Sequence, residues 1–270
     1  MAEAPTPPAV DTHAHVFTRA MPFAREAHSR PDYDYPVEAW LADLDRAGIE
    51  RGVIAAASLF DDDNAYTLAA VAAHSRLRGT VLAPIDTDRA ALREMRDLGV
   101  AGIRLTWRRM ATLPDLGAGP WPGFLRRLVD CGMHVELLAG STQLPILLPK
   151  LLDAGVAVVV DHFGVPSRDA AERAAGTEAL LRAIDTGRTW VKLSAGFRLP
   201  FAVVAEVAAR LLVAGPERLL WGSDAPFVNH EASTAYPDTL DLYRVLVPDS
   251  QDRAAIDRTA LALYFHEGSQ

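Results

Sequence analysis

The chain has 270 residues, half of them hydrophobic, with 27 basic and 35 acidic side chains and a formal net charge of −8 at pH 7. That is enough apolar material for a sizeable core, and the acidic balance, without a basic run or stripe, speaks against nucleic acid as a partner. Cys131 is the only cysteine, which excludes an intrachain disulfide and favours a cytoplasmic setting; the apolar runs are short and broken, which speaks against a membrane-spanning helix.

Residues 1–9 are Ala/Pro-rich and lack the charged and apolar regions of a signal peptide, so they are expected as a disordered leader ahead of one domain over 10–270. The first strand is expected at 10–17, Val10-Asp11-Thr12-His13-Ala14-His15-Val16-Phe17. Residues two apart in a strand share a face, so His13 and His15 project together. A polar, Pro-containing loop follows to Pro36, and its Tyr33 and Tyr35 are candidates to line a site. Val37, Trp40, Leu41 and Leu44 have helical spacing, with Gly48 as a stop. An apolar strand over 52–58 and a polar loop come next, with Asn64 a candidate cap for a helix at 65–76.

The alternation repeats. Strands are expected at 79–84, 102–107, 134–138, 156–160, 190–194 and 219–224. Helices are expected at 88–98, 121–130, 143–153, 169–185, 201–213, 237–246 and 250–263. Eight βα units in about 250 residues predict a (β/α)8 TIM barrel, distorted or regular. A doubly wound sheet is the alternative, but Gly117-Ala118-Gly119 sits in a loop and not after a strand, so its nucleotide fingerprint is missing.

In a barrel the chemistry gathers where the strands end. His13 and His15, Ser58 with Asn64 beyond it, Arg104 with Arg108 and Arg109, Glu136, His162, Lys192 and Ser194 with Arg198, and Asp224 all fall there. Three imidazoles and one carboxylate suit a single divalent ion, zinc first. They suit equally a metal-free site in which Asp224 is the base and the imidazoles polarise a carbonyl. There is no Gly-x-Ser-x-Gly elbow and no phosphate-binding loop with lysine.

Asp11-Thr12-His13-Ala14-His15, Gly102-Ile103-Arg104, Val160-Asp161-His162-Phe163-Gly164, Trp190-Val191-Lys192 and Trp221-Gly222-Ser223-Asp224-Ala225-Pro226 together resemble the amidohydrolase superfamily. Within it they are similar to the branch that contains 2-pyrone-4,6-dicarboxylate lactonase and the sugar lactonases. The resemblance implies a barrel, hydrolysis of a cyclic ester, and His13, His15, His162 and Asp224 as the catalytic core. It also implies that a divalent metal is dispensable, as in the pyrone lactonase, and that Arg104 and Arg198 grip substrate carboxylates. No histidine ends strands five or seven, which speaks against a two-metal centre. Val165, Leu138 and Phe227 stand where that relative has polar grips, so a more hydrophobic pocket with less preference for anions is expected.

The expected function is therefore a lactonase-like hydrolase of a small molecule, with Arg104, Arg198, Asn64, Tyr33 and Asn229 around the substrate. A metal-dependent decarboxylase or C–C bond hydrolase on the same barrel is the alternative, and a barrel kept only for binding ranks below both. A homo-oligomer is left open.

Overall fold

A computed structural model describes residues 6–266. Eight strands, β1 Val10–Ala14, β2 Arg51–Ala55, β3 Leu77–Val81, β4 Val100–Thr106, β5 His134–Leu138, β6 Val158–Val160, β7 Thr189–Leu193 and β8 Leu219–Trp221, pair in sequence order, every pair parallel. Between them run α1 Val37–Ala47, α2 Ala65–Ala73, α3 Arg89–Leu98, α4 Trp121–Asp130, α5 Leu144–Asp153, α6 Ala170–Asp185 and α7 Phe201–Ala214; α8 Tyr236–Leu246 and α9 Ser250–Phe265 follow β8. This is the (β/α)8 barrel. Its seam is closed past the end of β8, where the Asp224 N–H donates to His13 O and the His15 N–H to Ala225 O, both at 2.8 Å.

Period-two alternation sorts each strand between two surroundings. In β5, Val135 and Leu137 join the core beneath the helices with Phe124, Leu125 and Leu147, while Glu136 turns inward to Lys192 of β7. Helix starts are set by carboxylates that accept orphan N–H groups: Asp88 from Ala91, Asp169 from Ala171 and Glu172, Asp249 from Gln251. Trp40 and Leu44 bury one face of α1 completely. A second apolar cluster joins Val10, Val53, Ala101, Val159 and Leu220 of the strands to Ala260, Tyr264 and Phe265 of α9.

Several expected boundaries move. β1 stops at Ala14, three residues before Phe17, and β8 stops at Trp221, so His15 and Asp224 stand on the backbone just beyond their strands. Asn64 precedes α2 but makes no capping bond; its side-chain amide instead donates to Asp62 O and Leu82 O and accepts from the Leu82 N–H. Of the leader expected at 1–9, residues 1–5 lie outside the described residues; Pro8 is buried and the Ala9 N–H donates to Asp257 at 2.9 Å.

Candidate active site

The residues at the strand ends converge around one carboxylate oxygen. Asp224 Oδ1 lies 3.7 Å from His13 Nε2, 3.5 Å from His15 Nε2 and 3.9 Å from His162 Nε2. Its other oxygen, Oδ2, accepts from Arg198 Nε at 2.8 Å. Two of these residues, His162 (φ 54°) and Asp224 (φ 62°), hold left-handed backbone conformations that L side chains rarely adopt. Gly222 lets the chain after β8 close on β1: a Cβ there would lie 2.6 Å from His13 Cβ and 2.8 Å from His13 N.

Asp11 locks that same junction. Its buried carboxylate accepts from the backbone N–H groups of Ser223 and His13, at 2.9 and 3.1 Å, and from Ser223 Oγ, Tyr236 OH and Trp40 Nε1. Burial raises its pKa despite these donors. Asp11 therefore positions two site residues without facing the cavity, a role that the sequence motif containing it did not disclose.

Each imidazole is oriented through its far nitrogen. His15 Nδ1 lies 2.8 Å from Ala55 O, and because a carbonyl only accepts, that nitrogen carries the proton. With that proton on Nδ1, the other ring nitrogen, Nε2, is the one turned to Asp224. His162 Nδ1 meets Ser194 Oγ at 2.8 Å. His13 Nδ1 lies 3.2 Å from both Asp161 Oδ1 and Lys192 Nζ. Burial holds His13 well below the usual histidine range and His162 at about 4, so both rings are neutral at pH 7. Burial alone would raise Asp224, but the neighbouring His162 and the Arg198 guanidinium outweigh it and hold the carboxylate well below its usual range.

Beneath the imidazoles lies a buried layer of charge. Arg104 donates to Asp161 through Nε (3.0 Å) and Nη2 (2.8 Å) and to Ala56 O through Nη1 (2.6 Å), and its Nε lies 3.1 Å from Glu136. Lys192 Nζ is 2.5 Å from Glu136 and 3.6 Å from Asp161. Burial would raise Asp161, yet Arg104, His13 and Lys192 hold it well below the ordinary carboxylate range, whereas burial and neighbouring Asp161 push Glu136 up. Arg104, expected as a substrate grip, is thus committed largely to the protein.

Above the imidazoles opens a cavity of about 130 Å³. His15, His162 and Asp224 form its base. Ala57, Leu59, Leu138 and Val228 line part of the wall, and His28, Arg108, Arg109, Arg198 and Asn229 another. Of the expected substrate-binding residues, Arg198 and Asn229 line the cavity and Arg104 touches it from below; Asn64 and Tyr33 do not line it. Tyr33 donates to Glu231 at 2.7 Å, and Tyr35 to Asp43 at 2.6 Å. Leu138, one of the residues behind the expected hydrophobic character, is on the wall, while Val165 is not; Arg108 and Arg109, from the loop after β4, line the cavity as well and bring positive charge to it. His28 was not anticipated at all, since nothing local in its loop distinguishes it.

A cluster of histidines around one buried carboxylate, at the C-terminal mouth of a (β/α)8 barrel, defines a hydrolase of the amidohydrolase type. The chain belongs to the amidohydrolase family, whose model matches residues 10–265. It is 31% identical over 265 residues to 4-sulfomuconolactone hydrolase of Rhizobium radiobacter, covering 90% of this chain and 84% of that protein. It is 28% identical over 240 residues to a 2-pyrone-4,6-dicarboxylate hydrolase of Comamonas testosteroni, covering 82% and 77%. The crystal structure of a probable 2-pyrone-4,6-dicarboxylic acid hydrolase from Acinetobacter baumannii, with citric acid bound, superposes with a TM-score of 0.90 at 27% identity, covering 95% of this chain and 99% of that one.

Proposed function

We propose that this enzyme opens a small lactone that carries at least one acidic group. The observation that carries the reading is the convergence of three imidazole nitrogens on Asp224 Oδ1, within 3.9 Å, at the base of a cavity edged by Arg108, Arg109 and Arg198. Relatives named for sulfonated and carboxylated lactones, and one structure holding citric acid, support it. The cavity, about 130 Å³, suits a small molecule.

His15 Nε2 and Asp224 Oδ1 face each other at 3.5 Å as two acceptors, and a water that donates one O–H to each satisfies both. That water is the nucleophile. It attacks the lactone carbonyl carbon and passes its proton to Asp224. Ser194, donating to His162 Nδ1, leaves the His162 N–H on Nε2, where it stabilises the carbonyl oxygen as charge develops. The tetrahedral adduct then collapses, the ring C–O bond breaks, and Asp224 returns the proton to the departing oxygen. The hydrogen bond from Arg198 lowers the basicity of Asp224; a substrate acid group that draws this guanidinium toward itself restores it.

The same donor set fits one divalent ion. Ligand atoms of His13, His15 and Asp224 lie within 4.8 Å of one another, with His162 beside them, and such an ion would supply Lewis-acid polarisation of the carbonyl. A second grouping, His13, Asp161 and His162, does not fit a second ion, because Arg104 and Lys192 already lie against Asp161 at 2.8 and 3.6 Å.

Among the described residues no helix is long and apolar enough to cross a membrane, and with Cys131 as the only cysteine we place the enzyme in the cytoplasm. The test is a screen of single-ring lactones with and without carboxylate or sulfonate groups, run with Asp224→Asn as control. Acidic lactones are expected to turn over, and the variant to lose about 10²–10⁴ in rate. Wild-type rates in the variant overturn the base assignment; no turnover of any acidic lactone overturns the reading.

A further inference from the structure

The loop 18–36 between β1 and α1 contributes one residue, His28, to the cavity lining. At its base Phe17 and Tyr35 exchange two backbone hydrogen bonds of 2.9 Å. On one flank the Ala24 N–H donates to Leu59 O at 2.7 Å, and Phe23 stacks on Phe60 with ring centroids 5.1 Å apart. On the other, Ser29 Oγ donates to Asn229 Oδ1 at 3.0 Å and Tyr33 OH to Glu231 at 2.7 Å. The loop is therefore held on three sides, and it sets His28 into the cavity.

Arg108 and Arg109, from the loop after β4, and Arg198, from the loop after β7, line the same cavity as that imidazole, as does His15 just past β1. Asp224 is the one carboxylate on the cavity wall among the described residues, and it is already engaged by Arg198 and the imidazoles. His28 is exposed, but partial desolvation and then the guanidiniums, Arg109 first, lower it from the ordinary histidine range, so it enters binding as a neutral ring with one N–H. Its ring nitrogens make no hydrogen bond to any described residue. On the apolar part of the wall, Ala57, Leu59, Leu138 and Val228 offer an acidic group no side-chain donor.

We propose that His28 is a specificity-determining residue, which donates to an acidic group of the ring held jointly by Arg108 and Arg109. The proposal deepens the lactonase reading and rests on it for the substrate's ester, though not for the acid. His28 stands on a connection and not on a barrel strand, so it chooses which ring is accepted without altering the groups that attack it.

The test uses isophthalate and 3-sulfobenzoate, single rings with two acidic groups and no ester to cleave. Their binding to wild type, His28→Ala and His28→Gln is measured by calorimetry, with circular dichroism confirming the fold. His28→Ala is expected to weaken binding about tenfold, and His28→Gln, which keeps an N–H donor, less than threefold. Equal binding by wild type and His28→Ala, or no binding of either probe by wild type, overturns the proposal. In turnover, His28→Ala should lower about tenfold the ratio of kcat/KM for an acidic lactone to that for its uncharged analogue. An unchanged ratio likewise overturns it. If the probes depend on His28 while no lactone is hydrolysed, the recognition stands and the lactonase reading falls.

Discussion

Replacing Lys192 by methionine tests the charged layer under the site. Lys192 and Glu136 are both fully buried, with Nζ 2.5 Å from the carboxylate. Methionine fills most of the volume of the lysine stem, so little cavity is created, and what is lost is the charge. Removing one partner of a buried pair costs about 3–5 kcal/mol. Two features favour the low end of that range: Arg104 Nε remains 3.1 Å from Glu136, and burial already raises the Glu136 pKa, so this carboxyl can take up a proton and cease to be an unpaired charge. We therefore expect a loss of about 3 kcal/mol, or roughly 6–12 °C in Tm for a barrel of this size. Lys192→Met/Glu136→Leu removes both charges together and should fall well short of the sum of the single changes, with a coupling of about 2 kcal/mol. Urea unfolding of the four proteins at one pH supplies the cycle. A Lys192→Met variant within 1 kcal/mol of wild type, or a double variant equal to the sum, would refute the pairing energetics argued above.

Acid should unfold the protein earlier than its carboxylates alone would require. Burial holds His162 at about 4 and His134 at about 3, both below the unfolded value near 6.5, so the unfolded chain binds protons first. Their contribution is complete above pH 6.5 and is lost as the pH falls toward 4, by about 3 kcal/mol for His162; urea midpoints that stay flat between pH 6.5 and 5 would contradict this. Zinc added to the chelator-treated enzyme should bind at no more than one equivalent, read by elemental analysis after dialysis; two equivalents would mean that Arg104 and Lys192 do not block the second position. Gly102→Ala would set a Cβ 2.5 Å from His134 O inside the barrel, where backbone cannot yield cheaply, and should cost about 1–3 kcal/mol in a thermal melt.

Most of the barrel was legible because its signal is local. The strand expected at 156–160 and the helix expected at 143–153 declare themselves by their own pattern and stand at Val158–Val160 and Leu144–Asp153, and the rule that strand ends carry the chemistry then gathered His13, His15, His162 and Asp224 without any knowledge of contacts. What stayed hidden depends on where long side chains go. Arg104 and Arg198 look alike in sequence, yet the first is 3% exposed and turned toward Asp161, while the second reaches the cavity. Asn64 has the right type and position for a cap, but Leu82 offers it both a donor and an acceptor. His28 lies in a loop whose course is decided by Leu59, Asn229 and Glu231, residues up to about two hundred positions away.

The placement of charge separates the two layers of the site. Below the imidazoles, Arg104 and Lys192 balance Asp161 and Glu136, two cations against two carboxylates. Such a layer can orient His13 and hold three strands in register while adding no net field to the cavity. Above them Asp224 balances Arg198, and Arg108 and Arg109 meet no carboxylate on the cavity wall among the described residues. A chain with a net charge of −8 thus keeps positive charge where a small substrate enters. On the proposed reading that excess favours an acidic ring over a neutral one of the same shape. On that same reading the loops after β4 and β1 select acidic rings and the strand ends supply the chemistry, so changes at Arg108, Arg109 or His28 should redirect the enzyme among lactones while Asp224 continues to serve each of them.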